Sequence, residues 1–311
     1  MLAVNPTAGQ GRGRAAASVA AARLRSAGVE VEELTGTDAD DLRRLVRHAL
    51  GSAEAPETAL VVVGGDGMSH LGVGLVAGTG VRLGIVAAGT GNDTARTLGL
   101  PIGDPVVAAD VVLRGLREPS HQRSIDAVRC TFGGPDRDQA EAWFIGVLSA
   151  GFDALVNERA NGWAWPRGRA KYVLAMLREL PVFRPRTYAL ELDGQRWSTA
   201  AMLVAVANGP SYGGGMRVAP EAVLDDGLLD VMLVRPLSRW RFLTLFPRVY
   251  RGTHVQDRRV SVQRGRRVVV DSPGIIAFAD GERLGPLPLT CEIAPEAVIV
   301  LAPRAAETPA R

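Results

Sequence analysis

Thr58-Ala-Leu-Val-Val-Val63 runs directly into Gly64-Gly-Asp-Gly67. The first six residues form an aliphatic, β-branched run without polar alternation, the pattern of a strand buried on both faces of a parallel sheet. The glycines break the strand, and a helical pattern follows through Leu75. Upstream, Leu2-Ala-Val4 reads as a strand stopped at Asn5-Pro6, Arg14–Arg25 as an Ala-rich helix and Val29–Leu34 as a strand. Asp38–Leu50 reads as a helix with acidic residues in its first turn. Downstream, Leu83–Ala88 repeats the strand pattern and Pro105–Leu116 the helical one. This alternation predicts a layered α/β domain with a mostly parallel sheet over residues 1–121.

From about Arg123 the texture changes. Short strand-like runs such as SIDAVRC, AWFIGVLSAG, TAAMLVAVANG, LLDVMLVRP and GIIAFADGE follow one another with turn signals between them. Leu174–Leu180 and Arg239–Tyr250 are the clearest helical segments. The expectation is a mostly β, sandwich-like domain over 122–303 and a flexible tail over 304–311. At 311 residues the chain exceeds what one core usually serves, which also favours two domains.

Composition excludes several classes. Apolar residues at 47% and charged residues at 22% are ordinary for a globular chain. A net charge of +3 is too small to imply nucleic-acid binding. Lys171 is the single lysine, so no GxxxxGK[ST] phosphate loop exists, and a phosphate site must use backbone N–H groups, arginine or a metal. Two cysteines, Cys130 and Cys291, make no disulfide framework, and His48, His70, His121 and His254 show no metal-binding spacing. The start, MLAVNPTAGQ, lacks the basic and long apolar regions of a signal peptide. The longest apolar run, Ala200–Ala207, is far shorter than the roughly 18 residues of a membrane span. A cytoplasmic protein is expected, at most lying on a membrane.

Three glycine loops fall where strands of the first domain end: Asn5–Gly9, Gly64–Gly67 and Gly89–Asp93. Open α/β sheets bind ligands at the carboxyl ends of their strands, where glycines let backbone amides approach phosphate. Asp66 fits a turn or helix cap, and fits equally a carboxylate beside nucleotide and Mg²⁺. Asp93 carries the same two readings. Thr90 suits a phosphate contact or a cap for a helix over Asn92–Leu98, and Arg96 would sit one turn inside that helix. In the second domain, Asp225–Asp230 suits a cation-binding turn, although Asp-Gly is also a common hairpin signal and the local reading favours the hairpin. Asp280-Gly-Glu282 ends an apolar strand and offers carboxylates able to act as a general base toward an alcohol.

Together these motifs resemble the diacylglycerol kinase catalytic-domain family, which includes bacterial lipid kinases and is related to sphingosine kinases. NPTAG at 5–9, GGDGMSH at 64–70, AAGTGNDTAR at 87–96, SAGFDA at 149–154, the NGPSYGGGM…DDGLLDV block at 208–231 and DGE at 280–282 carry it, in the family's order. The resemblance implies nucleotide bound in a cleft between the two domains. ATP phosphates would meet Gly64, Gly65, Asp66, Gly67, Met68, Ser69, Gly89 and Thr90, with Asn92, Asp93 and Arg96 completing the loop and Asn5 and Thr35 near the nucleotide. Asp66, Asp93 and Asp126 would surround catalytic Mg²⁺. Glu282 would be the proton acceptor, with Asp280 beside it and Asp66 a further catalytic candidate. A structural Mg²⁺ would be held by Asp226, with the Val223 and Leu228 carbonyls. Asp153 and Lys171 are candidates for substrate binding. Two departures stand out: Met68 where bacterial members usually carry Thr, and Gln10 where many carry Lys, which moves phosphate contact toward Arg12, Arg14 or Arg96.

The implied substrate is a lipid alcohol, diacylglycerol first, with sphingoid bases, ceramide, monoacylglycerol or phosphatidylglycerol as alternatives. An NAD-kinase-like enzyme and a non-catalytic lipid-binding protein are the rivals. Residues 159–186 carry a net +6 together with Trp163, Trp165 and Tyr172, a composition suited to an anionic membrane surface. Arg239-Trp-Arg-Phe242 is a second such segment. Peripheral attachment to the inner membrane face is therefore expected, and a strand edge in the β domain offers a route to a homodimer.

Overall fold

The computed structural model describes residues 1–5, 12–51, 58–132, 140–163, 165, 169–180 and 183–303, without the side chains of residues 153, 161 and 169–172. Most of the NPTAG loop, Gln10 and the tail from residue 304 therefore lie outside the described residues. Internal contacts divide the chain into two units. One runs to Ala127 and resumes at Pro295; the other is Val128–Ala294.

The first unit contains β1 (Leu2–Val4), α1 (Arg12–Ser26), β2 (Glu33–Thr35), α2 (Ala39–Gly51), β3 (Ala59–Gly64), α3 (Asp66–Val76), β4 (Arg82–Ala87), α4 (Asp93–Thr97), α5 (Pro105–Arg117) and the start of β5 (Gln122–Phe132). Its strands run parallel in the order β2-β1-β3-β4. In β3 the side chains alternate between two apolar layers, which is why no polar residue interrupts it. Val61 and Val63 join the core formed with α1 and α5. Val62 faces α3, whose Gly72 is so close that a Cβ there would lie 2.9 Å from Leu83 Cδ1 and Val62 Cγ1. Pro105 opens α5 behind Asp104, whose Oδ1 accepts the Val106 and Val107 amides at 2.9 and 3.1 Å. The expected strand over Val29–Leu34 is corrected to Glu33–Thr35. Its partner β1 offers only three residues for pairing, while Val29 and Val31 pack on the core without joining the ladder.

The second unit takes the end of β5 and adds β6 (Ala140–Phe144), β7 (Val147–Gly151), α6 (Phe152–Asn161), α7 (Arg169–Glu179), β8 (Arg186–Leu192), β9 (Gln195–Ala201), β10 (Leu203–Ala207), β11 (Leu229–Val234), α8 (Arg239–Val249), β12 (Val260–Gly265), β13 (Arg267–Asp271), β14 (Ile276–Ala279), β15 (Glu282–Pro286) and the first half of β16 (Leu289–Leu301). One sheet runs β16-β13-β8-β9 with β5 and β6 attached; the other is β12-β11-β10-β7-β14-β15. Alternate residues of both sheets, among them Val128, Leu148, Tyr188, Val206, Val231, Val268 and Leu289, form one shared core, which makes the unit a β-sandwich. The outer face of the second sheet is covered by α6, α7 and α8 around Phe152, Met176 and Phe242. The end of β16 returns to the first unit, where Ile299 and Val300 pair in parallel with Arg82 and Leu83.

Helix α6 is an element that the sequence reading did not assign. Gly151 has φ +130°, and a Cβ there would meet Tyr188 Oη at 2.6 Å and Met202 O at 2.7 Å. Only glycine fits that bend. The spacing of Phe152, Val156 and Ala160, all buried, is the helical signal that was available.

Candidate active site

Strand register places the expected nucleotide residues side by side. Val4 pairs with both Thr35 and Val63, and Gly64 pairs with Ala87, so Thr35, Asn5, Gly64 and the loop after Ala87 leave the sheet along one carboxyl edge. In the order β2-β1-β3-β4 the chain changes direction between β1 and β3, the place where such sheets bind ligands.

Two of the glycine loops interlock there. A Cβ on Gly89 would run into Gly65 Cα, and one on Gly91 into Asp66 Oδ2. Asn92 adopts φ +59° and locks its loop: Gly89 N–H donates to Asn92 Oδ1 at 3.0 Å, and Asn92 Nδ2 donates to Gly89 O at 2.9 Å. The Thr94 amide donates to Asp66 Oδ1 at 3.2 Å. Asp66 opens α3, and Arg96 donates to the Gly91 carbonyl and, at 3.1 Å, to Asp93 Oδ1. Met68 and Ser69 are buried, the Ser69 hydroxyl donating to Gly65 O at 3.5 Å, while Gly67 and Thr90 are exposed at the edge.

The electrostatics of this edge are uneven. Burial, and then the neighbouring Asp93, raise the Asp66 carboxyl above its ordinary value, although the Thr94, Asn92 and Asp93 amides pull the other way. A site holding two adjacent carboxylates at this cost is suited to a hard cation. Asp126, the third member of the expected network, is buried on β5, and its Oδ1 accepts the Glu296 amide at 2.9 Å. Among the described residues no group of three or more His, Cys, Asp or Glu is gathered to hold a metal. Asp66 and Asp93 are the two carboxylates that this edge could offer to a cation, and Asp93 Oδ1 already accepts from Arg96 at 3.1 Å.

In the second unit, Asp280 and Gly281 have φ +52° and +88° and join β14 to β15 with Ala279 opposite Glu282. This is a two-residue turn of the type that Asp-Gly favours. The Asp280 carboxylate accepts the amides of Ile145, Gly146 and Val147 at 3.3, 3.1 and 3.0 Å. Gly146 lets it approach, since a Cβ there would collide with Asp280 Oδ1. On the other side, the Asn208 and Gly209 amides donate to Gly146 O at 2.9 and 3.0 Å. One knot thus ties the Asn-Gly of the 208–216 motif to the Asp-Gly of the 280–282 motif. Gly146 was missed in sequence; a glycine inside an apolar strand run was its signal. Glu282 is exposed at the start of β15, and its carboxylate makes no hydrogen bond among the described residues.

The Tyr212–Met216 motif is a tight turn. Gly213, Gly214 and Gly215 have φ of +63°, +82° and +96°, and Tyr212 and Met216 exchange backbone hydrogen bonds of 3.1 and 3.0 Å. Both flanking side chains line an apolar cavity of about 790 Å³, mouth included, whose walls include Phe152, Met176, Phe242 and His254. His254 is 1% exposed, and its Nε2 meets Val218 O at 3.1 Å. Burial lowers its pKa, disfavouring the charged imidazolium.

The Asp226 turn is not a hairpin. It is the last part of the long link between the antiparallel neighbours β10 and β11, which corrects the local reading. Asp226 Oδ1 accepts the Leu228 amide at 3.1 Å, Oδ2 pairs with Arg264, and Arg264 Nε lies 3.3 Å from Asp230 Oδ1. Asp230 is buried, and that burial raises its pKa against the pull of Arg264. The side chains of Asp153 and Lys171 lie outside the described residues.

A parallel α/β unit with interlocked glycine loops and an acidic pair, followed by a β-sandwich, defines a two-unit kinase fold. The diacylglycerol kinase catalytic domain matches residues 1–125, and the YegS C-terminal NAD kinase beta sandwich-like domain matches 146–302. The chain is 43% identical over 302 residues to a diacylglycerol kinase of Mycobacterium tuberculosis (strain CDC 1551 / Oshkosh), covering 96% of this chain and 94% of that one. It belongs to the diacylglycerol kinase family and is a phosphotransferase of the lipid kinase type. The fold is shared with the crystal structure of a diacylglycerol kinase from Bacillus anthracis str. Sterne (TM-score 0.69, 19% identity, 98% and 96% of the two chains). It is also shared with an NAD kinase from Archaeoglobus fulgidus in complex with ATP (TM-score 0.52, 15% identity, 97% and 93% covered).

Proposed function

We propose that this chain is an ATP-dependent kinase that phosphorylates the hydroxyl of diacylglycerol to give phosphatidic acid. The observation that carries the lipid reading is the apolar cavity in the β-sandwich unit, walled by Phe152, Met176, Tyr212, Met216 and Phe242. Its walls are almost entirely apolar and suit acyl chains rather than a dinucleotide. The proposal places ATP phosphates on the Gly64–Gly67 and Gly89–Thr90 loops, with Asn5 and Thr35 on the same edge and Arg96 closing the second loop. Asp66 and Asp93 would hold Mg²⁺, which when bound neutralises charge on the phosphoryl oxygens. Glu282 takes the proton of the lipid hydroxyl. Asp280, with both oxygens on backbone amides, positions the Glu282 turn instead of acting as the base. Asp126 steadies the backbone at Glu296, and Asp153 and Lys171 stay assigned to substrate.

The membrane reading is part of the same proposal. Trp165 and Trp240 are each 80% exposed, and Leu174 and Leu177 on α7 are half exposed, features suited to an interface. Arg159 is spent inside the unit, paired with Glu179 across α6 and α7, so it is withdrawn from the basic surface. Among the described residues no helix is long and apolar enough to cross a membrane. The enzyme would attach peripherally to the inner face, and β9 and β12, each ending a sheet, would be the edges for a homodimer.

The test uses labelled ATP with a panel of lipid alcohols in mixed micelles, with and without Mg²⁺, alongside Glu282→Gln. Phosphatidic acid from diacylglycerol, lost in Glu282→Gln at unchanged melting temperature, is expected. Phosphorylation of NAD with no lipid product would overturn the lipid reading, and wild-type rates in Glu282→Gln would overturn the base.

A further inference from the structure

The family resemblance implies a structural divalent cation at the Asp226 turn, and the residues present do not fit one. Such a cation needs the Asp226 carboxylate as its side-chain ligand. Both of its oxygens are engaged: Oδ1 by the Leu228 amide at 3.1 Å, and Oδ2 by the Arg264 guanidinium. The same guanidinium reaches Asp230 Oδ1 through Nε at 3.3 Å. Asp230 and Arg264 are cross-strand partners on β11 and β12, so sheet register itself delivers the arginine to the turn. A divalent ion on Asp226 would sit in contact with a fixed positive charge.

We infer that Arg264 is this chain's built-in counter-ion for the turn: its guanidinium bridges Asp226 and Asp230, and the turn closes without a divalent cation. A guanidinium is suited to this because it is always charged and its planar fork presents several donors in fixed directions, enough for two carboxylates at once. The turn connects to β11, next to β10 in the sandwich, so the second unit keeps its shape when divalent cations are scarce. The cation requirement of the enzyme is then confined to Asp66 and Asp93. This inference is independent of which alcohol is phosphorylated.

The experiment compares thermal unfolding of the full chain in EDTA and in MgCl₂ for wild type, Asp226→Asn and Arg264→Gln, and counts bound Mn²⁺ by paramagnetic resonance. Any Mg²⁺-induced shift in melting temperature should be the same in wild type and Asp226→Asn, because Asp226 binds no metal. Arg264→Gln should melt about 5 °C lower in EDTA, since Asp230 loses its partner. Its own partial recovery in Mg²⁺, with one extra Mn²⁺ bound, would show that the carboxylates accept a cation only once the guanidinium is gone. A Mg²⁺ shift and a Mn²⁺ site present in wild type and absent in Asp226→Asn would overturn the inference. So would an Arg264→Gln variant that melts as the wild type does in EDTA. Loss of kinase activity plays no part in the readout, so a different substrate would leave the result standing.

Discussion

Asp66 and Asp226 begin as equals: each is an aspartate beside glycine at the end of a loop, and each is matched by resemblance to a metal ligand. The fold gives them opposite neighbours. Asp226 meets Arg264, a cation the chain supplies itself. Asp66 is raised first by burial and then by Asp93, a second negative charge; Arg96 pairs with Asp93, yet the Asp66 carboxyl stays raised. A carboxylate neutralised from within is structural. A buried carboxylate left beside another one keeps a cost that a bound cation would relieve, and strongly perturbed carboxyls of this kind are candidates for functional sites.

The largest effect should come from removing that demand. Asp66→Asn deletes one charge of the pair, and turnover should fall at least about 10²-fold, the scale of losing one electrostatic contact to the reacting group. Melting temperature without ligand should hold or rise, because a desolvated charge has gone. A marked loss of stability with modest loss of rate would break the contrast, making Asp66 as structural as Asp226. Asp280→Asn comes next and probes a third acidic turn that belongs to the structural side. Its carboxylate binds three amides of 145–147, and an amide side chain replaces one acceptor oxygen with a donor. The expected cost is about 2 kcal/mol in denaturant unfolding, with turnover reduced less than in Glu282→Gln. Unchanged stability with abolished turnover would return Asp280 to the role of base.

This contrast also shows which parts of the molecule could be read from sequence. The strand at Thr58–Val63 was legible because burial on both faces leaves an unbroken apolar signature, and the loops at Gly64–Gly67 and Gly89–Asp93 were legible because glycines break the strands that they end. The Asp226 turn was not. Its partner Arg264 lies 38 residues away and arrives only through the pairing of β11 with β12. The knot of Asp280 with Gly146 spans 134 residues for the same reason. Helix α6 was hidden by the bend at Gly151 and by polar residues between its buried positions. Local chemistry shows in a sequence; the cross-strand register that pairs distant charges does not.

The finest test of the comparison is a shift along the pH axis. If Asp66 holds Mg²⁺ as proposed, a proton competes with it, so nucleotide–Mg²⁺ affinity should fall as pH drops through a carboxyl value that burial and Asp93 have raised. The sign for the unliganded protein is the reverse. An acid whose folded value is raised contributes stability at low pH and loses it as pH rises through that value, so Mg²⁺ should stabilise most on the alkaline side. Asp93→Asn removes the second cause of the shift while burial remains. The acid limb of nucleotide binding, followed by calorimetry across pH, should move to lower pH in this variant, and affinity at neutral pH should drop because one ligand oxygen is lost. An acid limb that stays in place would mean that Asp93 does not act on Asp66. The first unit would then hold two separate aspartates and no shared demand for a cation.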